Sequence, residues 1–433
     1  MSKQNKIAIA VVIILAILPL LRWLFLLPLN IRFADLASTA TSLGQIAGLI
    51  GMALFALNLI ISSRLKFFDR FFYGLDRLYH HHRQIGAIAF CLILFHPLAL
   101  AIKYLLLSVN SAAWFLFPST NWAVTFGIIG LLVLMLLIVL TFYARMKYQH
   151  WKITHKFMVA AFIFAFIHIL LIPSDISRDF LLRYYLIILS LLGLAAGFYR
   201  AFLAPYINEN FKYRIIKADQ LANQVMQIEA EPLGPAINFL SGQFIFIKFI
   251  GGGVSSEVHP FTISSAPRQK ILQFNIKPLG DFTTDLKNLR ADSMAIIEGP
   301  YGKLSYRNMS SKNQIWIAGG IGITPFLSMA RDLVAGEGYK IILFYCALDE
   351  QETVHLDELR NIAAGNSNFQ LITWYSREKG RINGQEVAKL SGELANQEIL
   401  LCGPLPFMLD LRKQLMQLGV NKNNIHFEQF KLL

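Results

Sequence analysis

Every apolar run long enough to cross a bilayer falls within the first 204 of the 433 residues. Hydropathy marks six of them, at about 7–29, 42–61, 84–107, 122–143, 155–173 and 183–204, each close to the roughly 20 residues a spanning helix needs. Inside hydrocarbon the backbone must satisfy its own hydrogen bonds, so six isolated runs of this length predict a bundle of six transmembrane helices. No run of that kind follows. The chain therefore reads as half membrane protein and half soluble protein, which accounts for a mean hydropathy of +0.48.

Charge follows the same division. The first 204 residues carry 17 Lys and Arg against 5 Asp and Glu, a net of +12, whereas the remainder carries 23 against 22, a net of +1. The basicity belongs to the membrane half, so no nucleic-acid partner is implied. Arg64, Lys66, Arg70, Arg77 and Arg83 cluster between the second and third runs, and Arg145, Lys147, Lys152 and Lys156 between the fourth and fifth. The alternate loops hold only Arg32, Lys103, Arg178 and Arg183, at their tips and edges. Positive charge stays inside, which predicts cytoplasmic termini and a cytoplasmic soluble half. The first run follows Lys3 and Lys6, is too long for a signal-peptide core and precedes no small-residue cleavage pattern, so it is expected to remain as an anchor.

Two of the runs carry paired histidines: His82 and His96 on the third, His155 and His168 on the fifth. Spacings of 14 and 13 residues at 1.5 Å per residue separate the members of each pair by roughly 20 Å. If the two helices are neighbours, the histidines meet as one pair at each depth. Imidazoles facing each other across a gap suit an iron with two axial ligands, and two such levels suit two stacked haems. A single intramembrane histidine can equally serve only to bond a neighbouring helix. The helical phase adds a condition: 14 residues fall about 40° short of four turns, but 13 fall about 140° off, so the second helix needs a kink or π-bulge. Pro97 can bend the first. His80 and His81 are read as interfacial. The inner pair is then His82 with His155 and the outer pair His96 with His168. Arg83 and Lys156 follow the inner histidines, where they can pair with haem propionates or simply sit as juxtamembrane cations. Lys103 lies near the outer pair, as a site for an acceptor or as a snorkelling lysine.

Cys91, Cys346 and Cys402 show no metal- or haem-attachment spacing, and structural disulfides are not expected.

From Phe211 the pattern changes to short alternating runs that predict a small antiparallel barrel. One of them contains His259, Pro260, Phe261, Thr262, Ser264 and Ser265, an aromatic–hydroxyl strand suited to lying along a flavin. Lys277 precedes Gly280, Asp281, Thr283 and Thr284 at the mouth of a short helix, which suits a pyrophosphate or an ordinary N-cap. From Gln314 strands alternate with helices, predicting a doubly wound parallel sheet. Its first strand runs into Gly319, Gly320, Gly322, Thr324 and Pro325 before a helix, the context a phosphate-cradling glycine loop requires. Cys402, Gly403 and Pro404 end its last hydrophobic strand, at the edge where ligands bind in such folds; buried packing is the other reading of Cys402. The expected domains are residues 1–205 (membrane), 206–311 (barrel) and 312–433 (nucleotide-binding).

Taken jointly, the paired histidines, the His-Pro-Phe-Thr strand, Gly-Gly-Ile-Gly-Ile-Thr-Pro, Cys-Gly-Pro and the terminal Phe427-Glu428-Gln429-Phe430 resemble the bacterial NADPH oxidases: a ferric-reductase-like transmembrane domain fused to a ferredoxin-reductase-like dehydrogenase. The resemblance covers nearly the whole chain. It implies two b-type haems, FAD and NADPH as cofactors, and dioxygen reduced to superoxide outside a bacterial inner membrane. It places Phe430 on the flavin, and Phe430 and Cys402 are the expected catalytic residues. Ser376 and Arg377 fall where that family holds a 2′-phosphate, with Lys379 and Arg381 adding charge, although Asp349 and Glu350 after the preceding strand would repel it. Ferric-chelate reductases share the pattern, so a ferric chelate is an alternative acceptor. An electron-supply subunit for a periplasmic protein or quinone is another reading, and a haem-free transporter with a nucleotide-sensing domain a third. No obligate protein partner is evident, and no calcium loop is read before the first run.

Overall fold

The computed structural model describes residues 3–72, 74–144, 148–204 and 210–428. The chain forms two compact units, Met1–Ile207 and Asn208–Leu433.

The first unit is helical: α1 (Lys3–Leu24), α2 (Leu29–Arg32), α3 (Leu36–Ile61), α4 (Lys66–Phe72), α5 (Leu75–Leu105), α6 (Val109–Phe115), α7 (Trp122–Phe142), α8 (Tyr148–Lys156), α9 (Met158–Leu171), α10 (Asp175–Arg178) and α11 (Phe180–Phe198). Six stretches are long and apolar enough to span a membrane: Asn5–Leu24, Leu36–Ile61, Arg77–Leu105, Trp122–Phe142, His150–Leu171 and Phe180–Leu203. They coincide with the six hydropathy runs. The third begins earlier than expected, because α5 starts at Leu75 and carries His80, His81 and His82 on the helix itself.

Small residues let these helices approach closely, as packing between helices in lipid favours. A Cβ on Gly51 of α3 would lie 3.0 Å from Ile93 of α5, and one on Gly130 of α7 would lie 3.2 Å from the Ala161 carbonyl of α9. So α3 backs α5, and α7 backs α9. The break that the histidine spacing requires is present: α8 stops at Lys156 and α9 restarts at Met158. Between them the Phe157 N–H bonds the Thr154 carbonyl at 3.0 Å, a tighter turn than an α-helix makes.

Arg32, expected at a loop tip, is buried instead. It lies 3.5 Å from the centre of the Trp23 ring, donates to the Trp23 carbonyl at 2.8 Å and pairs with Asp175 at 3.0 Å. The guanidinium thus ties α2 to α10, and Arg22 with Asp179 at 2.6 Å makes a second tie beside it.

The second unit opens with six antiparallel strands: β1 (Asn210–Gln220), β2 (Met226–Pro232), β3 (Phe244–Ile250), β4 (Val258–Thr262), β5 (Leu272–Ile276) and β6 (Met294–Tyr301), in the order β4-β3-β6-β1-β2-β5. The two edges meet where the Ser264 N–H donates to the Gln273 carbonyl at 2.8 Å, bending the sheet round a core that includes Ile215, Ile228, Ile247, Phe274 and Ile297. Five parallel strands follow: β7 (Asn313–Gly319), β8 (Lys340–Ala347), β9 (Phe369–Tyr375), β10 (Glu398–Cys402) and β11 (Ile425–Phe427), in the order β11-β10-β7-β8-β9. Their hydrophobic runs are nearly continuous because both faces are covered. Helices Thr324–Asp332 and Leu356–Gly365 pack on the face of Trp316, and Gly384–Ser391 and Leu405–Gln417 on the face of Ile315 and Ile317.

Candidate functional site

In the membrane unit all four histidines come together as two pairs. The ring centroids of His82 and His155 are 6.2 Å apart with an interplanar angle of 71°, and those of His96 and His168 are 6.3 Å apart at 70°. Two metal–nitrogen bonds of about 2 Å, plus the half-widths of two imidazoles, make up roughly that separation. Among the described residues no three metal-ligating side chains cluster, so each pair offers two ligands only. A haem, whose macrocycle fills the remaining positions, suits such a donor set.

The His96–His168 pair is also oriented. Nδ1 of His96 lies 2.7 Å from the Gly44 carbonyl and Nδ1 of His168 lies 2.6 Å from the Ala123 carbonyl. A carbonyl only accepts, so each Nδ1 carries the proton and each Nε2 keeps its lone pair for a ligand. Both carbonyls belong to a small-xxx-small step, Gly44 to Gly48 on α3 and Ala123 to Gly127 on α7. A Cβ on Gly48 would lie 2.7 Å from His96 Nδ1, and one on Gly127 would lie 2.9 Å from His168 Nδ1. These four small residues were not singled out from the sequence, although the small-xxx-small pattern was there to read. At the His82–His155 pair aromatic rings do the flanking: Trp151 stacks on His155 at 5.0 Å, and Tyr79 meets His82 edge-on at 6.4 Å. Lys156 directs its amine to the Ala201 carbonyl at 3.4 Å.

In the barrel, Pro260, Phe261 and Thr262 lie half-buried on β4, and His259 stacks on Phe282 with centroids 3.9 Å apart. Ser264 and Ser265 are buried and engaged internally. Ser264 Oγ donates to the Gln273 carbonyl at 2.8 Å, and Ser265 Oγ accepts from the Gln273 N–H at 3.1 Å. Gly280 caps the short helix Asp281–Asp285, where Thr283 Oγ1 accepts from the N–H groups of Leu279 and Gly280 at 2.8 and 3.0 Å. Asp281 and Thr284 are exposed on the same turn. Lys277 pairs with Glu352 at 3.3 Å.

The parallel sheet joins the glycine loop and the Cys-Gly-Pro loop into one rim. From β7 the chain winds outward through β8 and β9 and returns to place β10 on the other side, so the order reverses between β7 and β10. Dinucleotides bind at such a switch point. Gly319 ends β7, and Gly403 follows β10. A Cβ on Gly322 would collide with the Cys402 carbonyl, and one on Gly403 would lie 3.1 Å from the Gly319 Cα. Gly320 takes φ +55°, the left-handed region that glycine adopts without cost, with open space before it. Thr324 Oγ1 donates to the Ile321 carbonyl at 3.2 Å, and Pro325 opens the helix behind the loop. Burial pushes the Cys402 thiol up to about 12, with the Glu428 carboxylate adding to it, so Cys402 stands there as a neutral thiol. Glu428 itself accepts from the N–H groups of Lys303 and Leu304. Phe430 lies outside the described residues. Pro404 precedes helix Leu405–Gln417. Ser376 and Arg377 follow β9, where the guanidinium pairs with Asp349.

Family comparisons match this arrangement part by part. Residues 47–166 match the ferric reductase like transmembrane component, residues 210–305 an FAD-binding domain, and residues 316–413 an oxidoreductase NAD-binding domain. The chain thus carries a ferric-reductase-like transmembrane match followed by an FAD-binding and an NAD-binding match. The ferric-reductase-like match includes all of α5, the break at Phe157 and three of the four histidines. Flavohemoprotein B of Dictyostelium discoideum is 27% identical over 219 residues, covering 44% of this chain and 52% of that protein. Dual oxidase 2 of Sus scrofa is 25% identical over 309 residues, covering 64% of this chain and 19% of that protein. The chain thus spans about half the length of the flavohemoprotein and a fifth of the dual oxidase. Among solved structures, the FAD/NAD-binding domain of the nitric oxide dioxygenase from Vibrio cholerae aligns with a TM-score of 0.45 at 21% identity, covering 50% of this chain and 97% of that one. The FAD- and NAD-binding domains make the ferric-reductase-like chain an oxidoreductase.

Proposed function

We propose that this oxidoreductase is a transmembrane NADPH oxidase that passes electrons from cytosolic NADPH through FAD and two bis-His b-type haems to dioxygen on the outer side, giving superoxide. The observation that carries the reading is the pair of histidine pairs, equally spaced at two depths on the same two helical segments. Nicotinamide gives two electrons and haem iron takes one, and a flavin handles both. His82 with His155 would hold the inner haem, and His96 with His168 the outer.

The chain's own residues have definable parts in this. Gly44 and Ala123 fix the protons of the outer imidazoles away from the iron side. Phe261 and Thr262 offer a ring and a hydroxyl to the flavin, Gly320 keeps a side chain out of the open space before the loop, and Gly319, Gly322 and Gly403 let the two loops close into one rim. Cys402, as a neutral thiol, donates or packs at the end of β10 and is not a nucleophile. The six spans return the chain to the side on which the third and fifth begin. Positive charge on the loops there supports the cytoplasmic side, in a bacterial inner membrane, so electrons would enter at His82 and His155.

A second reading, ferric-chelate reduction, rests on the match of residues 47–166 to the ferric reductase like component. Cytochrome c reduction by the purified protein, with and without superoxide dismutase, is measured beside reduction of ferric citrate and a quinone. Dismutase-sensitive reduction that exceeds the other two is the result expected. Faster reduction of ferric citrate, with no dismutase-sensitive component, assigns the second reading.

A further inference from the structure

Asp349 and Arg377 lie at the carboxyl ends of neighbouring parallel strands, just past the register pair Ala347 and Tyr375 of β8 and β9. Their side chains form an ion pair, and the Arg377 N–H donates to the Leu348 carbonyl at 3.0 Å. The carboxylate is not free to swing away. Its Oδ1 accepts from the Glu352 N–H at 3.1 Å, capping the turn Glu350–Glu352, while Oδ2 faces the guanidinium. That turn is tied in turn to the barrel: Lys277 pairs with Glu352 at 3.3 Å, and Asn223 donates to the Gln351 carbonyl at 2.5 Å. A negative charge is therefore built into the place where the 2′ position of the nucleotide would meet Arg377.

We propose that Asp349 is a specificity-determining residue: it competes with the 2′-phosphate for Arg377 and moderates the preference for NADPH, leaving NADH a usable donor. The proposal rests on the reading of Arg377 as the phosphate contact. A guanidinium presents a planar fork of donors, and a carboxylate on one edge of it must be displaced or crowded by an incoming phosphate. A nucleotide without the phosphate meets no such repulsion, and its ribose hydroxyl can donate to the carboxylate, as acidic residues do at this edge of dinucleotide-binding sheets. The Arg377 side chain is 63% exposed and that of Asp349 24%. Solvent screening keeps the competition modest, about three- to tenfold.

The test compares wild type, Asp349→Asn and Arg377→Ala as full-length, flavin-loaded protein, by kcat/KM for NADPH and NADH and by the inhibition constants of 2′-phospho-AMP and 5′-AMP. Asparagine keeps the oxygen that caps the turn and removes only the charge. The expected result is an NADPH-to-NADH ratio about three- to tenfold higher in Asp349→Asn, a matching tightening of 2′-phospho-AMP relative to 5′-AMP, and both quantities lowered in Arg377→Ala. If Arg377→Ala lowers the ratio while Asp349→Asn leaves it unchanged or lowers it, competition by Asp349 is overturned and the reading of Arg377 stands. If neither substitution moves the ratio, both fall.

Discussion

The residues that set the outer site are the small ones. His96 and His168 each rest on a neighbouring backbone that a methyl group would close, since non-bonded carbon contacts settle near 3.5–4.0 Å and the available spaces are 2.7 Å at Gly48 and 2.9 Å at Gly127. Gly48→Ala and Gly127→Ala are each expected to push an outer imidazole off its carbonyl. The haem-to-protein ratio of the purified variant should fall from about two toward one, measured by the pyridine haemochromogen spectrum. An unchanged ratio and spectrum in both variants would show that the glycines serve helix packing alone. The pairing of the histidines was legible because matched spacing on two segments brings them together once the helices are neighbours. The glycines were not, because Gly44, Gly48 and Gly127 gain meaning only once α3 is known to back α5 and α7 to back α9. Arg32 was misjudged for a related reason: its partner Asp175 lies 143 positions away, and sequence alone could not bring α2 to α10.

The 13-residue spacing demanded an interruption between His155 and His168, and the chain supplies it at Phe157; the exact device, a one-residue tight turn, was not predictable. Elements are then tied by buried charge. Removing one partner of a buried ion pair strands the other, at a cost of roughly 3–5 kcal/mol. Asp175→Ala should accordingly lower the melting temperature of the detergent-solubilised protein by several degrees, whereas substitution of exposed Asp357 should leave it nearly unchanged. In the second unit, Arg331 joins the parallel-sheet half to the barrel: it donates to the Ser264 carbonyl at 2.9 Å and makes a two-point contact with Glu358 at 2.6 and 2.7 Å. Burial works to raise the Glu358 carboxyl, but the hydrogen bonds from His355 and Arg331 outweigh it and hold the group at about 2. A depressed acid contributes stability above its unfolded pKa, near 4.5, and loses it as pH falls towards 2. Wild type should therefore lose more thermal stability than Glu358→Gln between pH 5 and pH 3, and equal losses would remove Glu358 from that role. None of this was visible in the sequence, since Glu358 sits in an ordinary amphipathic helix.

For the whole molecule, the division into a spanning half and a half without spans was plain from the hydropathy and the charge balance, and the order of motifs along the chain matched the order of the sheets. What the motifs could not supply was their mutual placement, such as the backbone contact of Gly322 with Cys402 that makes two loops one rim. If the four histidines form two levels of a single electron path, electrons enter at the His82–His155 pair. Anaerobic stopped-flow absorbance of the haem band, recorded after NADPH is mixed with His168→Ala and with His155→Ala, tests this directly once flavin and haem contents have been checked. The prediction is that His168→Ala keeps one haem that is reduced at close to the wild-type rate, while His155→Ala keeps one haem that is reduced at least tenfold more slowly. Rapid haem reduction retained in His155→Ala and lost in His168→Ala would contradict that order.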